Sequence, residues 1–206
     1  MPLYEVQMIG TAVFAVTGVL AVNRRGLDAF GAVVLGIVTA LGGGTVRDVV
    51  LEVPVFWLAD LNYVWMATVA ALITFFADRS VRSSYTLLLY LDALGAALFG
   101  VQATEKVLSL GHGGTVAAAM GVLTSIGGGL VRDILAGRPT LLMSRDIYAT
   151  PILLGCSVSV GLWPYTRHHR ALSGVAIALI FAIRACAIHW HIQMPAWLTN
   201  NEDPRA

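Results

Sequence analysis

Three consecutive glycines followed two residues later by Arg-Asp occur twice: Gly42-Gly43-Gly44-Thr45-Val46-Arg47-Asp48 and Gly127-Gly128-Gly129-Leu130-Val131-Arg132-Asp133. Each copy lies inside a hydrophobic run. Glycine costs a helix roughly 0.5–1 kcal/mol relative to alanine, so three in a row predict an interruption or kink. In lipid, a freed carbonyl survives only where it faces protein or a water-filled cavity. Carbonyls at the C-terminal end of a half-helix carry partial negative charge and suit a cation. Thr39 and Thr124, four residues before the second glycine, would add a hydroxyl on that face. The competing reading is that the glycines only let two helices cross closely. Duplication of the motif, each time with an embedded Arg-Asp, favours permeation.

Arg47-Asp48 and Arg132-Asp133 are adjacent, so on a helix they point about 100° apart. Partners are expected on other helices. One reading is a structural clasp, each aspartate pairing with an arginine of the other copy; the other is a cation-attracting vestibule with an arginine barrier or gate. Asp92 stands inside another hydrophobic run, the fourth along the chain, where a carboxylate needs a cation, a proton or a donor. Arg184, near the end of the last run, is expected to snorkel or pair with a carboxylate. Enzyme signatures of the HExxH, GxSxG or Walker type do not occur. His189 and His191 are two apart and do not share a helical face, so neither a metal site nor a cofactor is expected. Cys156 and Cys186 form no CxxC pattern and read as small buried hydrophobes.

The elements that must position these residues are membrane helices. The chain has 206 residues, 57% hydrophobic and 12% charged, with a mean hydropathy of +0.77. A soluble domain usually carries about 25% charged residues. A crossing takes about 20 residues, and about seven candidate segments follow. They run from about Val6 to Val22, Ala29 to Leu51, Asn62 to Ala77, Tyr85 to Thr104, Gly114 past Asp133, Tyr148 to Trp163, and Ala171 to His189. The alternating pattern of a membrane β-barrel is missing. The N-terminus lacks a basic secretory signal, so the first run is expected to be retained. A net charge of +1, with no basic stripe, argues against nucleic acid as a partner.

The motif belongs to a longer duplication. Residues 36–50 match 121–135, and the match continues to Pro54 with Pro139 and Tyr63 with Tyr148. Upstream, after a small insertion, Gly18 falls on Gly100, Arg24 on Lys106 and Gly10 on Asp92. Three crossings per copy would insert the second copy upside down, so equivalent features meet near the midplane. The expected organisation is an all-α membrane protein: a first three-helix repeat over 4–80, an inverted repeat over 85–165, a seventh helix over 171–191 and a polar tail over 192–206. Arg24, Arg25, Arg79, Arg82, Arg132, Arg138 and Arg145 place the N-terminus outside and the C-terminus in the cytoplasm by the positive-inside rule.

The duplicated GGGxxRD, within two three-helix repeats plus a seventh helix, resembles the prokaryotic branch of the trimeric intracellular cation (TRIC) channel family, a domain family also described as glycine transporters. The resemblance spans about Tyr4 to His189. It implies a homotrimer in the inner membrane of a prokaryote, with one pore per subunit for K+ and Na+. Gly42 to Gly44 and Gly127 to Gly129 would then shape that pore, with Arg47, Asp48, Asp92, Arg132 and Asp133 as charged pore or gate residues. The alternative is a secondary carrier of a small zwitterion such as glycine, with its ammonium facing Asp92; a third is a scaffold whose polar groups only join helices.

Overall fold

The computed structural model describes residues 3–22, 28–77, 84–144 and 146–194. Arg24, Arg25, Arg79, Arg82, Arg145 and most of the expected polar tail lie outside the described residues. Among the described residues eight α-helices form: α1 (Leu3–Val22), α2 (Ala29–Val50), α3 (Phe56–Ala59), α4 (Asn62–Phe76), α5 (Tyr85–Ser109), α6 (Gly114–Leu135), α7 (Ala149–Leu162) and α8 (His169–His189). α1, α2, α5, α6 and α8 are long and apolar enough to cross a bilayer, and α4 is a shorter apolar helix. α3 is a single turn that the sequence reading did not foresee.

Burial is arranged for lipid. Apolar side chains cover the outside: Ile73 and Phe76 of α4 are 68% and 77% exposed, and Leu123 of α6 is 61% exposed. The largest fully buried side chains are instead Arg47, Arg132 and Arg184. A polar interior under an apolar surface costs free energy in water and is natural in a bilayer. α5 is mostly enclosed, packing against α1, α6, α7 and α8, while α2 packs against α1, α4 and α6.

Small residues set these contacts. A β-carbon on Gly18 would lie 2.8 Å from Gly36 Cα, and one on Gly121 would lie 2.8 Å from Gly100 O, so α1–α2 and α5–α6 approach at matching positions. Side-chain caps hold two helix starts. Asp28 Oδ1 accepts from Gly31 N at the start of α2, and Ser84 Oγ from Leu87 N at the start of α5. α2 and α6 both end in a left-handed residue, Glu52 at φ 54° and Gly137 at φ 54°. Val53 N and Arg138 N then bond back to Asp48 O and Asp133 O, which satisfies the last carbonyls of each helix.

The expected interruption at the glycines does not occur. α2 and α6 are continuous helices through residues 42–44 and 127–129, so no half-helix carbonyls are released there. Close packing of the two helices on each other outweighs the helix-breaking tendency of glycine.

Candidate functional site

α2 and α6 meet backbone to backbone. A β-carbon on Gly43 would stand 2.1 Å from Thr124 O, and one on Gly128 2.3 Å from Thr39 O. Thr39 faces Gly128 while Gly43 faces Thr124, so the helices cross antiparallel and the contact is reciprocal. A β-carbon on Gly127, beside this crossing, would lie 3.3 Å from Gly43 Cα, and one on Gly42 would meet no atom of another element within 4 Å among the described residues. Gly42 and Gly127 are half-buried. Gly44 packs on the Phe56 ring, and Gly129 makes room for Asp92, Tyr148 and Arg132. Thr39 Oγ1 donates to Leu35 O at 2.7 Å, whereas buried Thr124 Oγ1 has no partner among the described residues.

One turn beyond each crossing glycine, about 6 Å along the axis, lies a buried ion cluster. On the face holding the N-terminus, Asp48 Oδ1 accepts from Arg47 Nε at 2.7 Å and from Lys106 Nζ at 2.6 Å. Asp48 Oδ2 accepts from Phe56 N at 3.0 Å, fixing the start of α3. Arg47 lies over the Phe56 ring, 5.7 Å from its centroid, and Trp57 Nε1 donates to Thr45 Oγ1. The cluster holds two cations and one carboxylate.

The opposite cluster reverses that balance. Arg132 Nη1 donates to Asp92 Oδ1 at 2.8 Å and Arg132 Nε to Asp133 Oδ1 at 2.9 Å, giving one cation and two carboxylates. Asp133 Oδ2 accepts from Leu141 N at 3.1 Å, the counterpart of the Asp48–Phe56 bond. Asp92 Oδ2 and Arg132 Nη2 have no hydrogen-bond partner among the described residues. Arg184 lies 4.7 Å from the Tyr148 ring centroid, and its Nη1 donates to Ile147 O at 2.7 Å.

Three expectations are corrected here. Adjacent arginine and aspartate do meet, because the long arginine side chain curls back to bring Nε onto its neighbour's carboxylate. Among the described residues no Arg–Asp pair joins α2 to α6; the partners beyond each motif come from α5, as Lys106 and Asp92. Arg184 does not snorkel, and among the described residues it pairs with no carboxylate: it is 2% exposed and bonds a backbone carbonyl. Lys106, Phe56 and Tyr148 were not singled out as site residues. The repeat alignment of Arg24 with Lys106 and Tyr63 with Tyr148 held the signal for two of them.

A family model described as "Glycine transporter" matches residues 5–79 and 89–164. A UPF0126 membrane protein of Vibrio cholerae is 39% identical over 202 residues, covering 95% of this chain and 82% of the relative. The UPF0126 inner membrane protein YadS of Escherichia coli is 36% identical over 200 residues, covering 96% of this chain and 97% of that protein. The crystal structure of a TRIC trimeric intracellular cation channel orthologue from Rhodobacter sphaeroides superposes with a TM-score of 0.86 at 38% identity, covering 92% of this chain and 98% of that one. These relatives are described as channels, transporters or membrane proteins rather than enzymes. By that match over both halves of the chain, joined to the all-helical fold, the protein belongs to the glycine-transporter family of membrane proteins that includes the TRIC channels.

Proposed function

We propose that the chain is a monovalent-cation channel, permeable to K+ and Na+, that assembles as a homotrimer with one pore in each subunit. In this reading α1, α2 and α4 form one repeat and α5, α6 and α7 its inverted counterpart, with α8 added. The N-terminus is outside and the C-terminus cytoplasmic, in a prokaryotic inner membrane. The observation that carries the proposal is the reciprocal crossing of α2 and α6, with the Gly42 face open among the described residues and a buried ion cluster one turn to either side. Its likeness to a TRIC cation channel supports the same function. The glycines serve conduction by bringing the helices together and leaving a side-chain-free strip beside the crossing, rather than by releasing carbonyls.

Asp48, Asp92 and Asp133 neutralise arginines that would otherwise repel a passing cation, since a bare guanidinium beside a cation path is unfavourable. Arg47 and Arg132 act as gate residues, and Thr39 and Thr124 border the strip. Unitary currents of the purified protein in a planar bilayer test the reading. Gly42→Val and Gly127→Val should lower K+ conductance severalfold in folded protein; wild-type conductance in both removes the pore from this face. The description of the family model favours a second reading, a glycine carrier. Saturable counterflow of labelled glycine without unitary currents would establish it instead.

A further inference from the structure

The last turns of α5 carry polar groups that the glycine crossing does not use. Gln102 is 2% exposed, and neither its Nε2 nor its Oε1 has a partner among the described residues. A buried amide with both ends unpaired is costly unless something completes its hydrogen bonds. One turn on, Glu105 lies on the same face of α5, bonded to the Ser173 hydroxyl of α8. His169, one turn before Ser173, has its Nδ1 buried and without a partner among the described residues. Two residues from each helix therefore face one another. They border a cavity of about 550 Å³ on the N-terminal face of the molecule.

The charges around this cavity are divided. Lys106 also borders it, but its ammonium is held by Asp48 at 2.6 Å, so it does not neutralise Glu105. Arg170 also borders it, on an exposed part of α8. The Trp163 ring lies 4.0 Å from that of His169 and offers an aromatic face of the kind that attracts cations. Glu105, Gln102 Oε1 and His169 Nδ1 are acceptors, the complement of an ammonium with its three N–H donors. Gln102 Nε2 and the Arg170 guanidinium are donors, the complement of a phosphate. Val6, Leu98 and Ile177 supply apolar wall. The cavity lies among helix ends, at the N-terminal turns of α1 and α8 and the C-terminal turns of α5.

We propose that this cavity binds the head group of an ethanolamine-type zwitterionic phospholipid. Its primary ammonium sits against Glu105, Gln102 and His169, its phosphate against Arg170 and Gln102 Nε2, and its glycerol end on the apolar wall. The shared chemistry is a primary ammonium close to an anion. The room available and the apolar wall at a membrane-edge level favour a lipid over a free zwitterion. The inference is independent of whether the chain conducts.

Native mass spectrometry of the full chain, exchanged into phosphatidylethanolamine, phosphatidylcholine or phosphatidylglycerol, tests it. Wild type should retain phosphatidylethanolamine about tenfold over phosphatidylcholine, whose methyl groups replace the N–H donors. Glu105→Gln should abolish that preference. Arg170→Gln, at an exposed position where folding is not at risk, should weaken retention of both zwitterionic lipids. Equal retention of the three lipids by wild type, or a preference that survives Glu105→Gln, overturns the proposal. A lipid-free arm uses phosphoethanolamine and glycine as soluble probes in detergent. Thermal stabilisation by either as large as that given by phosphatidylethanolamine assigns the cavity to a soluble zwitterion and overturns the lipid.

Discussion

Adding one methyl group at neighbouring glycines should have opposite effects. In Gly43→Ala the new carbon would begin 2.1 Å from Thr124 O, and ordinary contact starts at 3.4 Å. α2 and α6 must therefore part by the difference, about 1.3 Å. The obstacle is backbone, which has no rotamer to change. Overpacking of this kind costs about 1–3 kcal/mol and opposes a helix-propensity gain of about 1 kcal/mol. With a carbonyl oxygen in the way, the upper part of that range applies and the net loss is about 1–2 kcal/mol. Gly42→Ala meets no atom within 4 Å and keeps its gain of about 1 kcal/mol. The two variants should differ by about 2–3 kcal/mol, roughly 4–12 °C in melting temperature for a chain of this size. Thermal unfolding followed by tryptophan fluorescence in detergent reads the difference. If Gly42→Ala melts at or below Gly43→Ala, the triple glycine is not there for a one-sided close crossing, and the account of the site fails.

Asp92→Asn leaves Arg132 with Asp133 alone and should destabilise by about 3 kcal/mol, changing conductance more than Arg184→Gln does; comparable unitary currents in the two variants remove Asp92 from the conduction site. Arg184→Gln gives up the bond to Ile147 O and should cost about 1.5–3 kcal/mol, seen as a lower melting temperature with cation preference unchanged. Lys106→Met takes one of two cations from the fully buried Asp48 carboxylate, which keeps Arg47, and should cost about 1.5–3 kcal/mol; reversal potentials should shift towards greater cation preference as a positive charge leaves that cluster. Glu52→Gly replaces a non-glycine residue at φ 54° and should stabilise the chain by about 0.5–1 kcal/mol, measured by the same melting assay.

The helices were legible because long apolar runs are bounded by polar residues or turns. Ala29 as the start of α2, Tyr85 as the start of α5 and His189 as the end of α8 could all be read directly. The single turn α3 could not, since its position depends on Asp48 capping it from eight residues away. The glycines were read through local propensity, which predicts a break; what decides their conformation is a partner helix 85 positions along the chain. Helical angle separates adjacent side chains, yet arginine is long enough to defeat that rule at Arg47 and Arg132. Gln102 gave no sign in the sequence at all. Its interest lies in having no partner among the described residues, a property of packing rather than of residue type.

The contact between α2 and α6 has one mechanical consequence. Two rods that touch through bare backbone, with no interleaved side chains at the point of contact, form a pivot. Rotation about Gly43 and Gly128 would swing Arg47 and Arg132 on short levers to either side of one fulcrum.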